Sequence, residues 1–457
     1  MSVADRAWAA VPAYFKENDV RLMAGLLLGT YVLYGVVSGF LAAVNNAPVM
    51  NAVFNEIASI TFLIGVYALL ALALNLHWGY TGLFNIGIAG FMAVGVYAMS
   101  ILAASPTGSP PGLGLPVPVA IVGALVITAI VGGLAALPAL QLDADYLAIV
   151  TVGLSEIIRL VLNASYFAGT VTDPEASGYN VVEVFGIRFG TGGGQGISTP
   201  TSGPARAIYE TETGLTVVGE VVYGLAETVG IRESVVVGGT YAVIVLLVFV
   251  TLYYVLLSRI GNSPFGRVLK AIREDELVAR SLGKDTRLFK IKVFMVGCAL
   301  MGLGGILWQG SYGFVNPNTF RPIVTFYIFT ALIVGGAGSN TGSVVGGAVF
   351  AAFLLEGPRQ LAGLVNAVSQ LLFGSLPKPP TFYDAVVSLD PLAWLGYLID
   401  SVAYLKFIFL GAVLVYLMQN RPDGLLGHRK EIAASVDLSD RSGGGRATAA
   451  DGGESDE

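Results

Sequence analysis

Charge and sulfur are both scarce in this chain, and each scarcity closes off a class of protein. Asp, Glu, Lys and Arg make up 12% of its 457 residues, about half of what soluble domains carry. The single cysteine, Cys298, leaves no partner for a disulfide framework. With only two histidines, His77 and His428, a His/Cys metal site lacks donors, and none is expected. A G-x-x-x-x-G-K-[ST] phosphate loop is missing, since Gly283-Lys284 runs into Asp285 and the preceding glycine spacing is absent. The chain therefore does not bind and hydrolyse ATP by that route. No G-x-S-x-G elbow or H-E-x-x-H pair occurs either, so an enzyme has no constellation to stand on.

What is present is long apolar sequence. Hydrophobic residues reach 54% and the mean hydropathy is +0.73. Runs of 18 or more apolar residues recur, each long enough to cross a hydrocarbon core of about 30 Å. The pattern predicts an all-α polytopic membrane protein with about ten spans, near 21–44, 56–76, 84–104, 117–140, 146–163, 235–257, 292–312, 322–337, 341–358 and 400–420. The first run is followed by others, so it reads as a span and not as a cleaved signal peptide. Placing the basic segment 258–292 inside puts both termini inside. Counting Arg21 and Lys292 at the span ends, inside segments then hold 17 Lys and Arg against 5 outside, with Arg159, Arg321 and Lys406 near or within spans, the bias of the positive-inside rule.

The organisation follows: a segment 1–20 and a transmembrane domain 21–432 carrying long outer segments at 164–234 and 359–399. A Gly/Ser/Asp/Glu-rich tail, 433–457, has the composition of disorder. The 164–234 segment, with its Gly-rich GTGGGQG and alternating apolar patches, suits a small lid or hairpin. The 359–399 segment suits a short interfacial helix carrying Trp394 and Tyr397. Acids crowd 164–234 and the tail, and only 8 of the 25 basic residues are Lys. That balance suits a high-salt, halophilic setting; an ordinary acidic loop and tail is the plainer reading.

Residues 258–292 hold 9 of the 25 basic residues. Phe265, Val268, Leu269, Ile272, Ala279 and Leu282 recur at helical spacing, while Lys270 with Glu274 and Glu276 with Arg280 make i,i+4 pairs. Pro264 suits a helix start and Gly283 a C-terminal cap, so a helix or helix pair is expected. Such a helix can lie on anionic lipid, but the mixed-sign centre Arg273-Glu274-Asp275-Glu276 fits a groove on a protein better.

Elsewhere, Asn75, Gly79, Gly82 and Asn85 interrupt an apolar region. The interruption reads either as a tight turn between spans or as broken helix bordering a path. Glu156 and Arg159 sit three apart within a span, as an intramembrane ion pair fixing packing or as a path lining. Gly338, Gly342 and Gly346, flanked by Ser339, Ser343 and Gly347, form a small-residue stripe for close helix packing, within the subunit or against another.

The run SPFGRVLKAIREDELVARSLG resembles the cytoplasmic loop of LivM-type permeases, a family of branched-chain amino acid ABC importer subunits. Four further stretches, in order, are similar to that family: Leu74-Asn75-Leu76 with Gly79-Tyr80-Thr81-Gly82; Asp145-Tyr146 through Thr151 with Glu156 to Arg159; Gly335 to Ser339 with Gly342; and Arg421 to Gly427. The resemblance covers about residues 56–427. It implies a type II-like ABC importer permease fold of ten helices. It also implies a homologous second permease subunit, two ATP-binding subunits, an extracellular substrate-binding protein and the lipid bilayer as partners, with nucleic acid absent from that set. No cofactor is expected on this chain, with ATP and Mg on the partner subunits.

By the same resemblance, Phe265, Gly266, Arg267, Ala271, Ile272, Arg273, Glu274, Asp275, Glu276 and Gly283 are the ATPase-coupling candidates. Asn75, Gly79, Tyr80, Gly82, Asn85 and Gly87 are the translocation-path candidates. The chain departs from the family where Asn85 and Gly87-Ile88 stand in place of a Ser and a Gly-His pair, so no role of that His carries over. The 164–234 segment is longer than in the family. The solute is branched-chain amino acid in the best-known members and urea or short amides in others. A stand-alone secondary transporter or channel is the competing class.

Overall fold

Alternating apolar runs and capped turns fold into helices at all ten expected positions in a computed structural model. It describes residues 19–141, 144–169, 182–184, 187–200, 203–211, 214–374, 376–401, 406–420 and 423–426. The expected segment 1–20, for its first 18 residues, and the expected tail 433–457 lie outside the described residues.

The long helices are α1 (Asp19–Val44), α2 (Val49–Gly79), α3 (Ile88–Ala103), α4 (Val117–Ala139) and α5 (Ala144–Asn163). Short α6 (Gly203–Tyr209) and α7 (Val217–Thr228) precede α8 (Glu233–Asn262). A pair of short helices, α9 (Pro264–Glu274) and α10 (Glu276–Ser281), leads into α11 (Thr286–Gln309). Then come α12 (Pro322–Gly335), α13 (Asn340–Phe373), α14 (Phe382–Val387), α15 (Pro391–Asp400) and α16 (Lys406–Asn420). Among the described residues, seven helices are long and apolar enough to span a membrane, namely α1, α2, α4, α5, α8, α11 and α13, with α3 and α12 apolar but shorter.

Several boundaries move. α2 begins at Val49, seven residues before the expected start, and α11 begins at Thr286, so Arg287, Lys290 and Lys292 ride on its first turns. α13 does not stop at 358; it continues to Phe373, and residues 359–373 are helix where an outer loop was expected. Arg359, Gln360, Asn366 and Gln370 lower the hydropathy there, yet Pro358, Ala362, Ala367 and Ser369 still bury one face. A short helix does form there, α15, and it holds Trp394 and Tyr397.

α2 is the hub, packed on α1, α8, α11, α12 and α13. In its most apolar window 72% of residues are buried, against 17% in α8 and 22% in α5, which places α2 inside and the others on the rim. Glycine permits the closest approaches: a Cβ on Gly95 of α3 would stand 2.5 Å from the Gly302 backbone of α11. The 164–234 segment, where described, contributes the hairpins Val182–Val184 with Ile187–Phe189 and Glu210–Thr211 with Gly214–Leu215. Strand Ile197–Ser198 pairs with Phe314–Val315 after α11, tying this segment to the bundle.

Candidate functional site

The α9–α10 pair is built by its caps. Ser263 accepts the Gly266 N–H at 3.1 Å and opens α9 with Pro264 in the first turn. Asp275 leaves helical geometry (φ −156°, ψ 108°), ends α9, and accepts the Leu277 and Val278 N–H groups at 2.9 and 3.0 Å to start α10. Gly283, at φ +76°, closes α10 in the left-handed conformation that glycine adopts without a Cβ penalty.

This break at Asp275 decides which side chains face outward. On α9, Leu269 and Ile272 are buried, Gly266 is packed against the Ile260 carbonyl, and Phe265 stacks on Phe289 of α11. On α10 and its C-cap Leu282, Ala279 is buried but Leu277, Val278 and Leu282 are 72%, 54% and 73% exposed. The single apolar face expected across 264–282 is therefore two faces, and Leu282 points away from the bundle because the kink rotates α10.

The mixed-sign centre divides in the same way. Glu274 and Asp275 are exposed, but Arg273 and Glu276 turn inward. Glu276 receives Lys290 of α11, Thr286 at 2.9 Å and Arg280 at 2.8 Å, fastening α10 to α11. Burial pushes the Glu276 carboxyl up, but the hydrogen bonds from Lys290, Thr286 and Arg280 outweigh it and hold it below the usual carboxylate range. Of the expected coupling residues, Arg267, Glu274, Asp275 and Gly283 are exposed and Ala271 is half-buried. Gly266 and Ile272 are buried within the bundle.

Arg273 donates to the Gly79 carbonyl at the end of α2, and Lys270, itself buried, lies 5.5 Å from the centre of the Tyr80 ring. The α9 helix thus sits directly on the interruption near residue 80. α2 widens there into a π-turn, Asn75–Gly79, and residues 82–87 are non-helical before α3 begins. Asn75 accepts the Gly338 N–H at 2.8 Å and donates to Asn340 at 3.1 Å; Asn340 in turn donates to Ser258. Asn85 donates to His77 Nδ1 at 3.2 Å and accepts the Gly87 N–H at 2.8 Å. His77 is then the Nε2–H tautomer, donating towards the Val293 and Phe294 carbonyls of α11.

The six path candidates are therefore brought together, around one connection between α2 and α3. Asn75, Gly79, Tyr80, Asn85 and Gly87 are buried against protein, and Gly82 is exposed beside Arg273. The connection satisfies its polar groups internally, which is what makes non-helical backbone tolerable at such a place.

Glu156 and Arg159 do pair, bidentately, with Arg159 also donating to Asn318 at 2.8 Å. That second bond joins α5 to the turn before α12. The glycine stripe splits: Gly342 and Gly346 let α13 lie against α12 of the same chain, where a Cβ on Gly346 would stand 2.1 Å from the Ala331 carbonyl. Gly338 corrects the expectation of a helix stripe. It sits in the α12–α13 turn at φ +90°, before the helix begins, and serves Asn75.

Sequence reasoning missed Leu277 and Val278 as surface residues, although Asp275 ahead of Leu-Val is a readable N-cap signal. The Arg273–Gly79 contact spans 194 positions and leaves no mark in local spacing. A cleft of about 1080 Å³ lies at the opposite end of the bundle, among Arg206, Glu210, Glu220, Tyr223 and Arg232, and none of the path candidates lines it.

A family described as the branched-chain amino acid transport system permease component matches residues 56–376. The chain is similar to the high-affinity branched-chain amino acid transport system permease protein LivM of Escherichia coli, 30% identical over 321 residues. That match covers 70% of this chain and 66% of the relative's length. It is 26% identical over 321 residues to a probable branched-chain amino acid transport permease protein LivM of Methanocaldococcus jannaschii, covering 64% and 78% of the two chains. A shorter stretch of 90 residues is 33% identical to the permease protein LivH of Escherichia coli, covering 20% and 29%. No solved structure matches.

Proposed function

Because the chain belongs to the branched-chain amino acid transport system permease family, we propose that it is a permease subunit of an ATP-driven importer of branched-chain amino acids. It is a multi-pass membrane protein, and on this reading it forms half of a translocation path with a homologous second permease. Two ATP-binding subunits dock on the α9–α10 side, and a substrate-binding protein delivers solute at the other end. The charge bias of 17 to 5 supports a cell membrane orientation with the α9–α10 side and both termini in the cytoplasm. ATP and Mg belong to the partner subunits, and this chain takes the transport role without catalysis.

The observation that carries the coupling part is the exposed apolar triad Leu277, Val278 and Leu282 on a short helix fastened to the bundle by Glu276. Three large apolar side chains bordered by Glu274, Arg280 and Lys284 form the centre-and-rim pattern of a protein contact. Held on a capped helix, they meet a groove at little entropic cost.

Affinity purification from native membranes tests this. ATPase subunits are expected to co-purify, and the Leu277→Asp/Leu282→Asp double variant is expected to weaken that association by about tenfold or more, as for interface centre residues. The assembled complex should take up labelled leucine only with ATP. Uptake of urea instead would move the solute assignment, and ATP-independent uptake by the single chain in liposomes would overturn the reading.

A further inference from the structure

The end of α2 has an unusual completion. A helix leaves its last four carbonyls without intrahelical donors. Here three are served within the next few residues: Leu76 by the Thr81 hydroxyl at 3.0 Å, His77 by the Leu83 N–H at 2.9 Å, and Trp78 by the Gly82 N–H at 3.1 Å. The fourth, the buried Gly79 carbonyl, is served by the Arg273 guanidinium from α9. Arg273 is itself largely covered, with 13% of its side chain exposed, and Gly82 at φ +72° turns the backbone beneath it.

We infer that Arg273 is the positioning residue through which movement of the α9–α10 pair reaches the α2–α3 connection. The inference rests on the importer reading, under which α9–α10 receives work from ATPase subunits. Three observations converge on it. Arg273 turns inward to Gly79 with most of its side chain covered, while one nitrogen reaches the exposed Glu274 at 3.5 Å, so it stands between the docking surface and the α2 end. Its acceptor closes a π-turn, an irregularity found mostly as a single turn inside helices and frequently at functional sites. That turn is bonded onward through Asn75 to Gly338 and Asn340, at the α12–α13 turn, and through Asn340 to Ser258 at the end of α8. One charge-assisted bond therefore ties the docking helix to the place where α2, α3, α8 and α13 meet.

The experiment uses the full complex with its ATPase subunits in proteoliposomes, comparing Arg273→Gln and Arg273→Lys with the unaltered chain. Expected for Arg273→Gln are retained ATPase association, retained ATP hydrolysis, and a fall of about tenfold in leucine moved per ATP, the loss of one hydrogen bond from a charged group. Arg273→Lys, which keeps a cationic donor, should recover part of the ratio. Loss of ATPase association in Arg273→Gln would show a docking or folding role and overturn the inference, as would an unchanged ratio. If the unaltered complex fails to bind ATPase subunits or to move leucine, the importer reading fails instead, so the two failures are distinguishable.

Discussion

At the scale of single residues, the α2–α3 connection is held by groups with no room to spare. A Cβ on Gly297 of α11 would stand 2.0 Å from His77 Nε2, a distance no real packing allows. His77 stacks on Phe294 and is fixed by Asn85, so it has nowhere to move. Gly297→Ala is expected to destabilise the chain by about 1–3 kcal/mol, the usual cost of overpacking a filled core. Combined with His77→Ala, the loss should be clearly less than additive, because the clash disappears with the ring. Thermal melting of the four proteins in detergent checks this; strict additivity would mean that the two residues do not meet. None of this was readable beforehand. Asn75, Gly79 and Asn85 announce an interruption by their composition, but the partners Arg273, Gly338 and Asn340 that close on Gly79 and Asn75 come from folding alone.

Helices were legible as elements because apolar runs of sufficient length admit little else in a membrane. Their irregularities were not. The π-turns at Val245–Phe249 and Phe350–Glu356 have no compositional mark, and the far half of α13 hid behind its polar face. The break between α9 and α10 was half legible, since Pro264 and Gly283 fixed the outer ends while Asp275 passed as part of a charge cluster. Its consequence is electrostatic as well as geometric. A carboxylate held below its ordinary range contributes stability that is full above that range and is lost as pH falls through the depressed value. The Glu276 tether of α10 should therefore persist at neutral pH and release only under acid. Amide exchange in 276–281, taken relative to each amide's intrinsic rate at that pH, is expected to rise at acid pH in the unaltered chain. In Glu276→Gln it should already be raised at pH 7 and vary little with further acidification; equal profiles for the two would remove Glu276 from the anchoring role.

Across the whole molecule, composition was enough for the class, and ordered motif resemblance was enough for the family that the comparison then showed over residues 56–376. The distribution of burial was beyond it. Sequence treats the ten apolar runs alike, whereas the structure ranks them, with α2 and α13 enclosed and α1, α5 and α8 at the rim. Rim helices expose apolar side chains, such as Leu247, Val248 and Leu252 on α8, of a kind that suits a lipid or helix-packing surface. The insertion at 164–234 was legible as extra sequence, but its tie to Phe314–Val315 was not, since two-residue strands carry no periodicity.

The length of α2 has a mechanical consequence. Its 31 residues extend for about 46 Å at 1.5 Å per residue, well beyond a hydrocarbon core of about 30 Å. Lying fully within that core would demand a tilt of about 50°, outside the range of about 0–40° that spanning helices adopt. One end must project, and Arg273 holds the end nearest α9. Bilayer thickness then becomes a load on that bond: a thinner membrane increases the mismatch and a thicker one relieves it. Leucine moved per ATP should vary with lipid chain length in the unaltered complex and lose that variation in Arg273→Gln, measured in vesicles of graded acyl length. The membrane would then act on this protein as a spring whose rest length is written into a single helix.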